Sequence, residues 1–165
     1  MGRPRFNGPS LIMTVGIPGS GKTTWLTKCF LSDRILKKIA HICPDRIREE
    51  EFKNISDQAN NVEVWRIAKE KTIEHLKEGR TVILDATNVS TPYRRLFING
   101  LPPCQLKAKI FEADPEECWQ RIRDDIQRKV SRANVPRDVI YRMHEDLLYT
   151  LKVIENEGFE LIEDF

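Results

Sequence analysis

Residues 10–24 read SLIMTVGIPGSGKTT, and this stretch decides the fold. Ser10 to Val15 is a short, nearly continuous apolar run, the pattern of a strand buried on both faces. Lys22 to Leu31 reads as a helix. Between them, Gly16-Ile17-Pro18-Gly19-Ser20-Gly21-Lys22-Thr23 fits GxxxxGK[ST] at every fixed position, in the required strand–loop–helix context. Gly16, Gly19 and Gly21 let the backbone turn its N–H groups inward, with Pro18, Ser20 and Thr24 completing the loop and first helical turn. The helix N-terminus adds partial positive charge. Lys22 is placed to reach β- and γ-phosphates, and the Thr23 hydroxyl to ligate Mg²⁺. The loop predicts binding of a nucleoside triphosphate, with ATP and Mg²⁺ as the expected cofactors.

Outward from this loop, strands and helices alternate. Ile39 to Cys43 is a short apolar run ending at Pro44, followed by a charged helix over about 45–52. After a turn at Asn60-Asn61, Val62, Trp65, Ala68, Thr72 and Leu76 recur at helical spacing up to a capping Gly79. Thr81 to Asp85 is a second buried strand and Leu106 to Glu112 a third. Thr91-Pro92 and Asp114-Pro115 open helices, the second running to about Lys129. Ser131 to Arg137 interrupts it, and Pro136 opens a last helix to about Asn156, capped by Gly158. Phe159 to Ile162 suits an edge strand. Such alternation predicts an α/β fold, a central parallel β-sheet with helices on both faces.

The remaining chemistry belongs at the carboxyl ends of the strands, where open parallel sheets hold their ligands. Asp45 and Arg48, three residues apart on a helix, share one face after the second strand. Asp85 ends the strongest strand, where a carboxylate can order a Mg²⁺ shell or bond Thr23. Thr87 and Asn88 follow it, as suited to turn formation as to the site. From Arg121 to Arg142 stand seven bases against three acids, a concentration able to meet phosphates. Its break at Ser131 to Asn134 has the form of a lid over about 121–142, flanked by Arg128 and Arg132. A small kinase uses lid arginines to stabilise the transferring group, and spacing does not choose between these two.

Composition sets bounds. At 165 residues and 19.3 kDa, a single domain over 1–165 buries roughly two-thirds of its unfolded surface. With 40% hydrophobic and 32% charged residues, it is no disordered tail, collagen-like rod or disulfide miniprotein. No apolar run approaches the roughly 18–20 residues of a membrane span, and no signal peptide is expected in MGRPRFNGPS. Cys29, Cys43, Cys104 and Cys118 form no CxxC pair and are expected as reduced thiols of a cytoplasmic protein. His41, His75 and His144 form no metal-spaced cluster and are expected to be structural or at the surface. Trp65, Trp119 and Tyr93 are assigned no role. Guanine-specific NKxD is absent, which argues against a GTPase.

GIPGSGKTTW, PDRIR, VILDATN with Arg94-Arg95 beyond it, FEADPEECWQRI and VPRDVIYRM follow in order from about Leu11 to Met143. Together they resemble the phage-type polynucleotide 5′-kinase domain of the P-loop kinase superfamily. The resemblance implies a P-loop kinase fold with a small helical lid, and transfer of the ATP γ-phosphate to a 5′-hydroxyl of DNA or RNA. It implies that Lys22 and Thr23 handle phosphates and Mg²⁺, that Asp45 is the general base, and that Arg48 holds acceptor phosphate. Asp85 would organise the site, and Arg128 or Arg132 would contact the β- or γ-phosphate. The lid stretch is several residues longer than in the family, so counting leaves both arginines open. Nucleic acid is the expected partner, with no membrane and no stable protein partner. Three other readings stand beside this one: a phage kinase of hydroxymethyl pyrimidine in DNA, a small-molecule kinase, and a regulatory or toxin-like nucleotide-binding module. Against shikimate kinases, Asp85-Ala86-Thr87-Asn88 stands where they place a glycine triplet.

Overall fold

In the computed structural model, residues 8–30, 39–55 and 59–163 are described. The expected helix end at Leu31 and the state of the Cys29 thiol lie outside them. β1 (Ser10–Val15) leads through the glycine loop into α1 (Lys22–Phe30), and β2 (Ile39–Ile42) into α2 (Pro44–Phe52). α3 (Asn61–Lys77) and β3 (Thr81–Leu84) are followed by α4 (Thr91–Ile98) and β4 (Gln105–Ile110). α5 (Pro115–Gln127) and α6 (Arg137–Val153) flank a non-helical break, and a short 3₁₀ turn (Glu155–Glu157) precedes β5 (Glu160–Leu161).

The five strands pair in parallel in the order β2-β3-β1-β4-β5. β1 is central and every one of its residues is buried, as its nearly continuous apolar run requires, since helices cover both faces. Leu11, Met13 and Val15 point into the larger core with Val64, Ala68, Phe97, Ile122, Ile140 and Leu147. Ile12 points the other way, against Trp25 and Leu26 of α1, Ile39 and Ile83. Expected boundaries hold within a few residues. Asn61 belongs to α3 rather than to a turn before it. Gly79 and Gly158 close their elements with φ of 75° and 94°, as a left-handed cap requires. The Asp114 carboxylate caps α5 by accepting the Glu116 and Glu117 N–H groups, each at 3.0 Å.

One buried ion pair joins the C-terminal segment to the sheet. Arg94, on α4, has no exposed side-chain surface and donates Nη2 to Glu157 Oε2 at 2.7 Å. Nη2 also reaches Thr91 Oγ1, while Nη1 donates to the Asn88 carbonyl and to Thr150 Oγ1 of α6. Thr150 passes its own proton to the Val89 carbonyl at 2.6 Å. The guanidinium thus clamps the loop after β3 against the C-terminal helix. Removing one partner of such a pair strands a buried charge, at a cost of about 3–5 kcal/mol. Glu157→Ala should lower unfolding stability in denaturant by about that amount, and Arg94→Met in the same background should recover part of it. A loss below about 1 kcal/mol, the range of exposed pairs, would contradict the clamp.

Candidate active site

The glycines of the loop have separate tasks. Gly19 has φ 82°, and a Cβ there would lie 2.7 Å from the Cys118 carbonyl oxygen of α5. A Cβ on Gly16 would meet Ser20 Oγ at 2.7 Å and the Phe111 Cβ at 2.8 Å. Gly21, with φ 98°, has open space around it and is needed for its backbone angle alone. The loop is tethered at its start, where the Gly16 N–H donates to the Thr87 carbonyl at 2.9 Å. It is tethered again at Gly19, whose carbonyl accepts from Arg121 Nη1 at 3.0 Å. Pro18, Gly19 and Ser20 are partly exposed around the turn, and Thr23 and Thr24 are exposed on the first turn of α1.

Lys22 folds its ammonium beneath the loop, donating to the carbonyls of Gly16 (2.9 Å) and Ile17 (2.8 Å), with Ser20 Oγ at 3.5 Å. Burial pushes its pKa down to about 8. Asp85 is the chief opposing influence, Arg132 adds to the depression, and Asp45 acts weakly against it. The carboxylates named from sequence and one of the two lid arginines therefore lie within electrostatic reach of the loop lysine. Arg132 is half-buried and paired with Asp125. Arg128 sits at the C-cap of α5 with its side chain exposed.

Asp85 is mostly buried and bonded to His41 Nε2 at 3.0 Å. His41, read from sequence as structural, thus stands behind a carboxylate of the site. The Asp85 backbone N–H donates to the Ile42 carbonyl, fixing the strand end. Thr87 and Asn88 prove to be turn residues. Asn88 takes φ 49°, which asparagine tolerates. Its Nδ2 donates to the Thr14 carbonyl at 2.8 Å and to the Leu84 carbonyl at 3.2 Å. Thr14 Oγ1 returns a bond to the Ala86 carbonyl at 3.0 Å.

Asp45 and Arg48 do share a face of α2, with Arg48 Nη1 donating to Asp45 Oδ1 at 2.5 Å. Arg48 is buried, and its Nη2 donates to Asn61 Oδ1 at 2.5 Å. Asp45 keeps 54% of its side-chain surface. Loss of water on its covered side raises the carboxyl above the ordinary range, against the pull of Arg48. Cys43, at the N-cap of α2, has its thiol pushed up to about 11 by burial and by Asp85. Three residues that sequence reasoning left out of the site, His41, Asn61 and Arg121, now hold Asp85, Arg48 and the loop in turn. Strand alternation could have placed His41, whose Cα registers with Ile83; nothing in the sequence singled out Asn61.

The donor set suits a nucleotide with its metal. A Cβ on Gly16 or Gly19 would collide with the packing that holds the loop, Phe111 in one case and the Cys118 backbone in the other. Among the described residues no three His, Cys, Asp or Glu gather as a metal cage. Mg²⁺ typically needs only one or two protein oxygens beside the phosphates, so the absence of such a cage does not count against it.

A family model described as an AAA domain matches residues 11–148. The chain belongs to that family. The fold is also that of solved P-loop kinases. A chain of the Pnkp1/Rnl/Hen1 RNA repair complex matches with TM-score 0.72 and 22% identity over 88% of this chain. A second structure of a Pnkp1/Rnl/Hen1 complex matches at 0.59 and 26% over 69%. This chain spans 46% and 39% of those two. A gluconokinase from Sinorhizobium meliloti 1021 matches at 0.58 and 14%, over 98% of this chain and 85% of its own. None of the curated proteins matches the chain. These likenesses bear out the P-loop kinase fold and the resemblance to polynucleotide kinases read from the motifs. Among the described residues, no helix is long and apolar enough to cross a membrane.

Gly19→Ala should weaken nucleotide binding at least 10-fold by calorimetry, because the methyl group meets the Cys118 backbone rather than a mobile side chain. Wild-type affinity in Gly19→Ala would show that the loop and α5 separate freely.

Proposed function

We propose that the chain is an ATP- and Mg²⁺-dependent kinase of a nucleic-acid hydroxyl, with the 5′-hydroxyl end of DNA or RNA as the favoured acceptor. The observation that carries this is the Asp45–Arg48–Asn61 arrangement within electrostatic reach of Lys22. A half-exposed carboxylate with a raised pKa, beside a buried guanidinium, suits removal of a hydroxyl proton next to a phosphodiester. The likeness to chains of an RNA repair complex supports the same acceptor.

Thr23 and Asp85 would hold Mg²⁺, which would supply positive charge against the phosphates of ATP, the phosphoryl donor of this reading. Gly16 to Thr24 bind and orient the triphosphate through the loop N–H groups. Lys22 gives up its carbonyl partners to reach the β- and γ-phosphates. Asp45 takes the acceptor proton on its free carboxylate edge. Arg48, fixed by Asn61, holds the acceptor phosphate and keeps Asp45 turned toward the hydroxyl. Of the two lid arginines, Arg132 is the one assigned to the transferring group, since Lys22 already feels its charge. Leaving Asp125 is the local change this requires of it. The charged region over about 121–142, around the break between α5 and α6, is the lid in this reading, with 1–165 as one kinase domain.

The gluconokinase likeness favours a second reading, a small hydroxylated acceptor. A three-acceptor assay with γ-labelled ATP separates the readings: a 5′-hydroxyl oligonucleotide, its 5′-phosphorylated form, and a 5′-phosphorylated strand containing hydroxymethyl pyrimidine. Label on the first alone establishes an end kinase. Label on the third but not the second indicates a base-modification kinase, and label on none turns the assignment to a small-molecule acceptor. Lys22→Ala should abolish transfer, as should Asp45→Asn with ATP binding retained; full activity in Asp45→Asn removes the general base.

The pH profile carries its own sign. A base must be deprotonated, so a raised Asp45 pKa places the acid limb of kcat above the usual carboxylate range, with activity lost as pH falls through it. Arg48 lowers that pKa, so Arg48→Met should move the limb further up. A downward shift, or none, would separate Asp45 from the limb.

A further inference from the structure

Strand alternation sets the direction of His41. In β2, Ala40 and Ile42 join the larger core, while Ile39 joins the smaller one with Trp25 and Leu26 of α1. His41 shares the parity of Ile39, and its Cα registers with Ile83, another residue of the smaller core. An aliphatic side chain would suit that face. The imidazole instead meets the carboxylate of Asp85, two residues beyond Ile83 and therefore on the same face.

Asp85 is thereby fixed to β2 at two points. Its backbone N–H donates to the Ile42 carbonyl at 2.8 Å, and its Oδ2 accepts from His41 Nε2 at 3.0 Å. An ionised carboxylate can only accept, so the ring proton at this contact belongs to Nε2. With 19% and 17% of their side-chain surface exposed, the two groups leave little room for water to replace the bond. Rotation of the carboxylate would break it, and Oδ1 stands outside it. Of the charged groups acting on Lys22, Asp85 has the largest effect, and it acts as well on the Cys43 thiol at the N-cap of α2. The carboxylate that His41 holds is thus within electrostatic reach of both the phosphate loop and the start of α2.

We propose that His41 is a positioning residue for the metal site, holding Asp85 so that its second carboxylate oxygen is kept for Mg²⁺ bound with the triphosphate. The inference rests on the kinase reading above, in which Thr23 and Asp85 hold that ion, and is independent of the acceptor. One imidazole N–H meets one oxygen and leaves the other, whereas a guanidinium at position 41 could take both. Hydrogen-bond partners of this kind orient a metal-ligating carboxylate, and their loss typically lowers metal affinity about 10- to 100-fold.

Nucleotide binding to the full chain tests this without turnover. Calorimetry with the β,γ-imido analogue of ATP is run in excess Mg²⁺ and in EDTA, and the ratio of the two affinities is the gain due to the ion. His41→Leu keeps an aliphatic fit beside Ile39 and Ile83 but has no N–H to give. It should cut the gain about 10-fold or more and leave the affinity in EDTA unchanged. His41→Gln, whose amide can donate to Asp85, should keep most of the gain. In an Asp85→Asn background His41→Leu should remove nothing further, because the two residues act as a unit. If His41→Leu does not fold, His41→Asn, whose amide ends short of the Nε2 position, takes its place with the same expected loss. An intact gain in the folded variant, or affinities lowered equally with and without Mg²⁺, would make His41 a structural residue and overturn the role. A wild type that does not bind the analogue, or binds it with no gain from Mg²⁺, would overturn the role together with the metal assignment. A gain lost in His41→Leu, with no labelling of any nucleic-acid acceptor by the wild type, would support the role and overturn the acceptor alone.

Discussion

The side-chain amide of Asn88 joins two strands that must end together for a phosphate loop to form. Parallel neighbours β1 and β3 exchange no further ladder bonds past Met13 and Leu84, yet each still presents backbone carbonyls there. Asn88 Nδ2 covers the Thr14 and Leu84 carbonyls, and the Thr14 hydroxyl covers the Ala86 carbonyl. The turn so formed presents the Thr87 carbonyl to the Gly16 N–H. Arg94 then fixes the Asn88 carbonyl from below, drawing on Thr150 and Glu157. A continuous chain of bonds thus runs from the C-terminal 3₁₀ turn to the first glycine of the loop. Burying an arginine is costly unless its charge and most of its protons are met. Here three neutral oxygens and one carboxylate meet them.

Charge in the site is met differently from group to group. Lys22 is held by carbonyl dipoles, which are weaker partners than the phosphates they resemble in position. Its depressed pKa records the lost water. Asp85 supports Lys22 through space while its Oδ2 is committed to His41, leaving one carboxylate oxygen outside that contact. Asp45 has the opposite balance, because Arg48 is locked by Asn61 and cannot follow the carboxylate outward. The two acids therefore have different surroundings, one mostly covered and one half-exposed, and this difference allows different roles in a shared cleft.

Much of this was legible in the chain. The nearly continuous apolar run at Ser10–Val15 suited a strand covered on both faces, and the glycine spacing after it named its own backbone geometry. Asp45 and Arg48 met as the helical repeat required. The bonds that tie distant segments were not legible, because tertiary packing sets them. Asn61 read as a turn residue, since its neighbour Asn60 and the polar stretch before it carry no helical period. His41 read as structural, because a lone histidine in a four-residue strand gives no hint of the carboxylate one strand away. Arg121, Arg128 and Arg132 looked alike as bases. Only their surroundings separate them: a loop carbonyl for Arg121, solvent for Arg128, and Asp125 within reach of Lys22 for Arg132.

The two halves of the cleft are anchored with unequal strength, and this bears on why the fold matches both RNA repair chains and a sugar-acid kinase. The triphosphate side rests on central strands, a fully buried ion pair and a glycine that admits no Cβ. The acceptor side rests on α2, whose outer surface is charged, and on the first turn of α3, whose cap has no side-chain bond. Substitutions at the exposed positions of the second side leave the core untouched, so acceptor chemistry can diverge while the sheet and loop persist. Likeness in overall fold therefore reports the donor half. On the proposed function, the acceptor is to be read from Asp45, Arg48 and Asn61.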